Sequence, residues 1–322
     1  MRCDVHILNA EIFSDITKMK RLLHFLLGIL VLQSVQGQEV TKAPLLENLK
    51  IAFVSYRTGS AEVFLMNSDG SGLEQLTNSP DRNSFPFQID ERTLGFTRID
   101  TSNKSTKFKI DIYTKKEEVI EENPIRKSAK WEAYSSDSSH VAFIRSSDYS
   151  DRELFIYNGD TGIEKQLTSQ KYEPFFAYSI NHSWSPDGKK LIFMSGADWY
   201  NQYVRMYDLE KDSIIQVTRR GYMNSGLNWL TDGKTLIANL KIKDETLYEL
   251  YQIDITTGKV TQITEGINLH PNVSPDGQWV VFESQRHQNE GEVYIMKPDG
   301  SQQFRLTNNP NYNGRCIWFR LK

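Results

Sequence analysis

The chain has 322 residues, is 39% hydrophobic and carries a formal net charge of −3 at neutral pH. That length and apolar content allow a sizeable core within a single domain. This net charge gives no electrostatic case for binding to nucleic acid or to anionic lipid.

The N-terminal segment has the pattern of a secretory signal peptide. Basic side chains precede an apolar run at residues 22–32, and small residues follow at Val35 and Gly37. The run is shorter than the ~20 residues of a membrane-spanning helix. We therefore expect cleavage after Gly37 and a periplasmic or secreted mature chain, with an uncleaved membrane anchor as the alternative. The basic residues are Lys18, Lys20 and Arg21.

The start of the signal and the segment after it can also be read from the sequence. Met19 stands where such a signal normally begins, so residues 1–18 are interpreted as an upstream extension of the reading frame. Residues 38–50 form a short polar lead-in.

Export would leave a chain without a disulfide framework. Cys316 is the single cysteine that remains after cleavage, and its place in an apolar strand predicts a buried structural thiol.

From Ile51 onward the chain repeats one unit. The unit has a large apolar residue, a turn of the Ser-Pro-Asp-Gly type and a strand rich in β-branched and aromatic residues. Successive units are 44 to 50 residues apart, which is the period of a four-stranded β-propeller blade. The leading apolar residues are Phe87, Tyr134, Trp184, Trp229, Val273 and Trp318.

A second mark recurs at the far end of each unit and predicts how the ring closes. The sequence Gln-x-Thr, or Arg-Leu-Thr in the last copy, ends five units at Thr77, Thr168, Thr218, Thr264 and Thr307. The unit that begins at Ile51 lacks a first strand, whereas residues 314–319 supply one extra strand. We therefore predict an all-β, six-bladed propeller over residues 51–322, closed by the C-terminal strand completing the first blade.

These repeats resemble those of the TolB-type propeller, found in TolB and in the propeller domains of prolyl-oligopeptidase-like enzymes. The resemblance is carried by residues 271–307 and by the partial copy at residues 51–77. It implies the fold and leaves the function open, because one fold hosts many activities. TolB itself has an α/β domain before its propeller, and the 13 residues of the lead-in cannot form one.

The sequence lacks the common catalytic motifs, which favours a binding role over catalysis. The sequence has no Gly-x-Ser-x-Gly elbow, no His-Glu-x-x-His and no Cys-x-x-Cys. Asp187, Asp232 and Asp276 occupy turn positions, where an aspartate hydrogen-bonds the backbone, so they are interpreted as turn formers. No cofactor is predicted.

Several polar residues are expected at the mouth of the central channel, where propellers place ligands. Each lies just ahead of a predicted innermost strand: Trp131, Asn181, His182, His270 and Arg315. They are interpreted as a ligand-binding set or as ordinary polar residues of a solvated channel. Propeller lyases that act on oligogalacturonate resemble this chain in fold and hold a divalent metal through channel histidines, so a channel metal is the alternative.

The aromatic residues divide into two groups. Trp184, Trp229 and Trp318 share one repeat position with other bulky residues, which predicts inter-blade core. In contrast, Trp199, Tyr200 and Tyr203 fall in a long connection at residues 195–203, where exposed aromatic side chains mark binding. They are our candidates for a partner-binding loop.

The sequence thus favours an exported, monomeric, TolB-like propeller that binds without catalysis. Its partner would be a protein or peptide at one propeller face, or a ligand at the channel mouth, and no nucleic acid or membrane span is expected. A metal-dependent polysaccharide lyase, or another propeller hydrolase, is the alternative from a different functional class.

Overall fold

A computed structural model describes residues 42–121, 129–145, 152–168, 182–196, 202–219, 223–241, 247–287 and 290–322. The described residues contain no helix, and no segment among them has the length and apolar character of a membrane-crossing helix. Their strands form six separate four-stranded antiparallel sheets. The predicted all-β, six-bladed propeller is therefore confirmed.

The blades are numbered here in chain order, with the innermost strand first. Blade 1 combines β24 (Asn313–Arg320) with β1 (Leu49–Ser55), β2 (Glu62–Asn67) and β3 (Glu74–Gln75). Blade 2 has β4 (Arg82–Gln88), β5 (Thr93–Ile99), β6 (Ser105–Asp111) and β7 (Glu117–Val119). Blade 3 has β8 (Lys130–Tyr134), β9 (His140–Arg145), β10 (Glu153–Asn158) and β11 (Glu164–Gln166).

The other three blades repeat the same arrangement. Blade 4 has β12 (His182–Trp184), β13 (Lys190–Gly196), β14 (Gln202–Asp208) and β15 (Ser213–Gln216). Blade 5 has β16 (Met223–Trp229), β17 (Thr235–Lys241), β18 (Glu249–Asp254) and β19 (Val260–Gln262). Blade 6 has β20 (Asn268–Val273), β21 (Val280–Ser284), β22 (Glu292–Met296) and β23 (Phe304–Arg305).

The C-terminal strand closes the ring by completing blade 1. Strand β24 runs antiparallel to β1, with Ile51 opposite Trp318 and Ser55 opposite Asn313. Its side chains fill the space on both sides, since Trp318 packs in the core shared with blade 6 and Phe319 in the core shared with blade 2. Cys316 is 2% exposed in the blade 6 core, as predicted for a structural thiol.

In blades 4, 5 and 1 the tryptophan of the repeat joins the blade to the one before it. Each indole is buried, and its Nε1 donates to a backbone carbonyl of the preceding innermost strand. The distances are 2.9 Å from Trp184 to Ala133, 3.0 Å from Trp229 to Ser183 and 3.1 Å from Trp318 to Asn272. These three residues are inter-blade core, as the sequence predicted.

Blade 2 departs from the predicted register by one residue. Gln88 lies opposite Leu94, just as Val273 lies opposite Val280, so Gln88 and not Phe87 holds the tryptophan position. The first turn of this blade is one residue shorter, which moved the apparent repeat position. Across this seam the Gln88 side-chain amide donates to the carbonyl of Arg320 at 2.7 Å and accepts from its N–H at 3.1 Å.

The Gln-x-Thr mark has a structural explanation. The Thr77 hydroxyl accepts from the N–H of Val63 at 2.9 Å, and Gln75 donates through its amide to the carbonyl of Thr77 at 2.7 Å. Because this pairs backbone groups beyond the short outer strand, the motif ends the blade. The same N–H to hydroxyl bond recurs at Thr168, Thr218, Thr264 and Thr307.

The predicted turn aspartates act as expected. Asp276 accepts from the N–H of Gln278 at 3.0 Å, and Gly277 adopts φ = +72°. Equivalent bonds reach Asp187 from Lys189 and Asp232 from Lys234. In an antiparallel meander these first turns lie at one end of every blade, and the connections between second and third strands lie at the other. The latter end is called the 2–3 face.

Candidate functional site

Among the described residues, the innermost strands of five blades carry a β-bulge near the 2–3 face, and in four of them the bulge holds one residue in the left-handed region. These residues are Phe85, Trp131, His270 and Arg315, with φ between 49° and 52°. Left-handed backbone is uncommon for such bulky residues, and bulges of this kind often re-aim side chains next to functional sites. Three of the four belong to the predicted channel set, and Phe85 is a new member.

A buried carboxylate joins two of the predicted residues. Glu283, in β21, is 1% exposed, and its Oε2 accepts from three directions. The donors are Nδ1 of His270 at 3.1 Å, the hydroxyl of Tyr312 at 2.7 Å and the N–H of Arg315 at 3.2 Å. His270 and Arg315, from blades 6 and 1, are therefore held by one oxygen atom.

The surroundings of Glu283 favour its ionised form. Burial acts to raise the pKa of Glu283, but the hydrogen bonds and charge supplied by His270 and Tyr312 bring that pKa below its usual range. Burial together with the neighbouring Glu283 carboxylate raises the pKa of Tyr312, so this hydroxyl remains a donor. Glu283 is thus a buried carboxylate anion whose hydrogen-bond donors all come from this chain.

Arg315 extends from this cluster into an open groove on the 2–3 face. Its guanidinium carbon lies 4.0 Å from the centre of the Phe85 ring, and its Nη1 donates to the Ser84 hydroxyl at 2.5 Å. The groove has a volume of about 740 Å³ and runs between blades 6, 1 and 2. Tyr56 and Phe85 in its lining are 40% and 50% exposed.

Trp131 is also exposed, at 46%, but it lies on blade 3, three blades from His270 around the ring. The guanidinium of the buried Arg152 lies 5.1 Å from the Trp131 ring, which holds the indole in place. Trp131 therefore does not belong to the cluster of His270 and Arg315.

His182 occupies the position that Leu227 and Cys316 hold in other blades, one residue past the bulge. Both of its ring nitrogens are buried, and neither makes a hydrogen bond of normal geometry with the described residues. Burial lowers the pKa of His182 to about 4, although the backbone of Ala142 and Trp131 acts in the opposite direction. His182 therefore lies between blades 3 and 4, beside the backbone of Trp131 and Ala142, and not beside His270.

The buried imidazole of His182 predicts a loss of stability in mild acid. Its pKa is about 4 in the folded chain and 6.5 when unfolded, so only the unfolded chain gains a proton between these values. The free energy of unfolding should fall by up to ~3 kcal/mol as the pH drops from 7 to 4. Urea denaturation at several pH values measures this.

The matched variant is His182→Leu, since leucine is the buried residue at the equivalent position 227. Its stability should decline less steeply over the same pH range, while the two proteins lose the same contribution from all other groups. Parallel curves for the two proteins would show that His182 is not the acid-sensitive group.

The remaining predicted residues divide between described and undescribed parts of the chain. Asn181, Trp199 and Tyr200 lie outside the described residues. Tyr203 is half-buried in β14, paired with Ser195, and so belongs to a strand rather than to the connection. Within the described ranges no group of three or more His, Cys, Asp or Glu side chains is arranged to hold a metal.

Sequence comparison now identifies the repeats. A family model for the TolB β-propeller domain matches residues 178–320. The repeats of this chain are therefore similar to those of the TolB β-propeller domain. A protein TolB homolog of Chlorobium luteolum is 26% identical over 160 residues, which is 49% of this chain and 34% of the relative. An uncharacterized protein of Agrobacterium fabrum is 36% identical over 81 residues, or 24% and 27% of the two chains.

The fold of this chain is also similar to that of solved TolB structures. The crystal structure of TolB from Acinetobacter baumannii superposes with a TM-score of 0.66 at 22% identity, covering 90% of this chain and 70% of that one. The matched segments span about a third or less of the curated relatives. This similarity therefore supports the propeller fold. It does not assign the function of a whole TolB protein to this chain.

Proposed function

We propose that this TolB-type propeller is an exported, non-catalytic binding module that takes a protein segment at its 2–3 face. The observation that carries the proposal is the groove between blades 6, 1 and 2, where exposed aromatic side chains surround a fixed arginine. Clustered exposed aromatic and arginine side chains are typical of protein-binding surfaces. Export to the periplasm or cell exterior follows from the predicted N-terminal signal.

Two further points support binding over catalysis. The ionisable side chains of the channel cluster already satisfy one another, because Glu283 accepts from both His270 and Tyr312. A catalytic base must instead reach a substrate proton. In addition, the relatives of this chain include Tol-Pal system protein TolB of Francisella tularensis, 28% identical over 131 residues, whose name assigns that protein to a Tol-Pal system.

A photo-crosslinking residue at position 85 tests the proposal. Phe85 points into the groove, so benzoylphenylalanine there should give discrete adducts with envelope proteins of the source cell. The matched control is position 113, where Tyr113 is 63% exposed in the turn between the third and fourth strands of blade 2, at the opposite end of the blade. An identical adduct pattern at both positions, or none at 85, would contradict the proposal.

The alternative is a metal-dependent lyase, favoured by the position of His270 on the channel wall beside a buried carboxylate. We expect no turnover of uronate-containing oligosaccharides by the purified mature chain, with or without manganese. The assay follows the absorbance of the unsaturated product. Turnover that disappears in His270→Ala would overturn the binding proposal and establish the lyase.

A further inference from the structure

Resting on the proposed function, we infer that Arg315 is the anchor for a carboxylate of the bound segment, either an acidic side chain or a C-terminus. The partner would be an extended peptide in which this carboxylate lies next to apolar residues. Three features of the groove support this: the fixed geometry of Arg315, the absence of an ion pair to its guanidinium among the described residues, and the aromatic and apolar surface around it.

Arg315 is held from its backbone to its guanidinium. Its N–H donates to the buried Glu283, its φ of 49° is set by the bulge, and its guanidinium stacks on Phe85 while donating to Ser84. A guanidinium restrained in this way loses little conformational entropy when it binds a ligand. Its planar donor array matches a carboxylate, which accepts two parallel hydrogen bonds.

The guanidinium of Arg315 makes no ion pair with the described residues, and Glu283 reaches only its backbone N–H. Within the described ranges no carboxylate oxygen lies within 4.0 Å of its guanidinium nitrogens, whereas Arg98 and Arg145 pair with Glu117 and Glu164. The groove also contains Arg82 and one carboxylate, that of Glu290. Its lining therefore has a net positive charge, complementary to an acidic ligand.

The walls combine apolar and polar surface. Apolar surface comes from Ile99, Pro310 and the edge-to-face pair of Tyr56 and Tyr312, whose ring centres are 5.8 Å apart. Ser84 and Asn311 add polar groups that can pair with a peptide backbone. An extended peptide with an acidic residue beside apolar or aromatic side chains matches this surface.

The experiment begins with a random peptide display library selected against the mature chain. Selected peptides should carry an acidic residue, or a free C-terminus, adjacent to an apolar residue. In a synthetic selected peptide, replacing that carboxylate by its amide should weaken Kd at least tenfold, as expected for loss of a charge-assisted pair.

Variants of the propeller assign the effect to one side chain. In Arg315→Gln the acidic peptide and its amide analogue should bind equally. The matched control is Arg320→Gln, because Arg320 lies in the same strand and bonds Gln88 only through its backbone among the described contacts. This control should retain the tenfold preference, and circular dichroism confirms that both variants fold.

The outcomes separate this inference from the proposed function. Peptides that require Phe85 but show no carboxylate preference would overturn the role of Arg315 and leave the binding proposal standing. A library that yields no binder, or binders unaffected by Phe85→Ala, would overturn both. Displacement of a selected peptide by oligogalacturonate would identify a sugar acid as the occupant and overturn the peptide assignment.

Discussion

Deletion of residues 312–322 is expected to unfold the whole propeller. The deletion removes β24, which is the innermost strand of blade 1 and pairs with β1 along most of its length. It also removes Cys316, Trp318 and Phe319 from two cores. Truncating a buried Phe or Trp to alanine costs about 3–5 kcal/mol each, so these losses approach the 5–15 kcal/mol total stability of a typical domain.

Thermal unfolding followed by circular dichroism measures the effect. The truncated chain should show no cooperative transition at the temperature of the parent. A synthetic peptide of residues 312–322, added in excess, should restore part of the transition by supplying the strand in trans. A truncated chain whose midpoint stays within about two degrees of the parent would disprove closure by β24.

Replacement of Glu283 is expected to have the second largest effect. Glu283→Ala leaves the hydroxyl of Tyr312 and the N–H of Arg315 without their acceptor and opens a cavity beneath His270. Breaking a buried charged network by removing one member costs about 3–5 kcal/mol. The glycines around the carboxylate add to this, because a Cβ on Gly314 would lie 2.1 Å from Oε2, so the surrounding backbone is shaped to this side chain.

Urea denaturation of Glu283→Ala should show this loss at neutral pH. The matched control is Glu290→Ala, an exposed carboxylate of the neighbouring connection, which should change stability by less than about 0.5 kcal/mol. The pH dependence gives a second readout. Because the pKa of Glu283 is lowered on folding, its contribution is present above its usual value of 4.5 and is lost as the pH falls through the folded pKa. Equal stability of the two variants would contradict the proposed network.

The repeat pattern was sufficient to predict the ring because its marks are local. A Ser-Pro-Asp-Gly type turn and a threonine after the outer strand recur in most blades, and both have local hydrogen-bonding causes. The single error of register, at Phe87, arose where a turn is one residue shorter. There Gly95 leaves room for the Phe87 ring, since a Cβ on Gly95 would lie 2.2 Å from it.

The site was less predictable because its parts come from distant segments. His270 and Arg315 were identified from their repeat position, but Glu283 reads in the sequence as one more polar residue of a strand. Its role depends on a bond to Tyr312, 29 residues away, and on the bulge at Arg315. Phe85 was missed because the shorter turn of blade 2 moved it out of phase.

The indole bonds between blades have a consequence for engineering. They join only innermost strands, from Trp184 to Ala133, Trp229 to Ser183 and Trp318 to Asn272. At the 2–3 face the last residue of a connection also bonds across a seam, since the N–H of Asn313 donates to the carbonyl of Gly291 at 2.7 Å. A grafted loop would therefore keep that last residue, and the residues before it could vary without altering the spacing of the blades. The ring is therefore suited as a display scaffold, in which loops grafted onto one face would acquire new specificities while the framework remains intact.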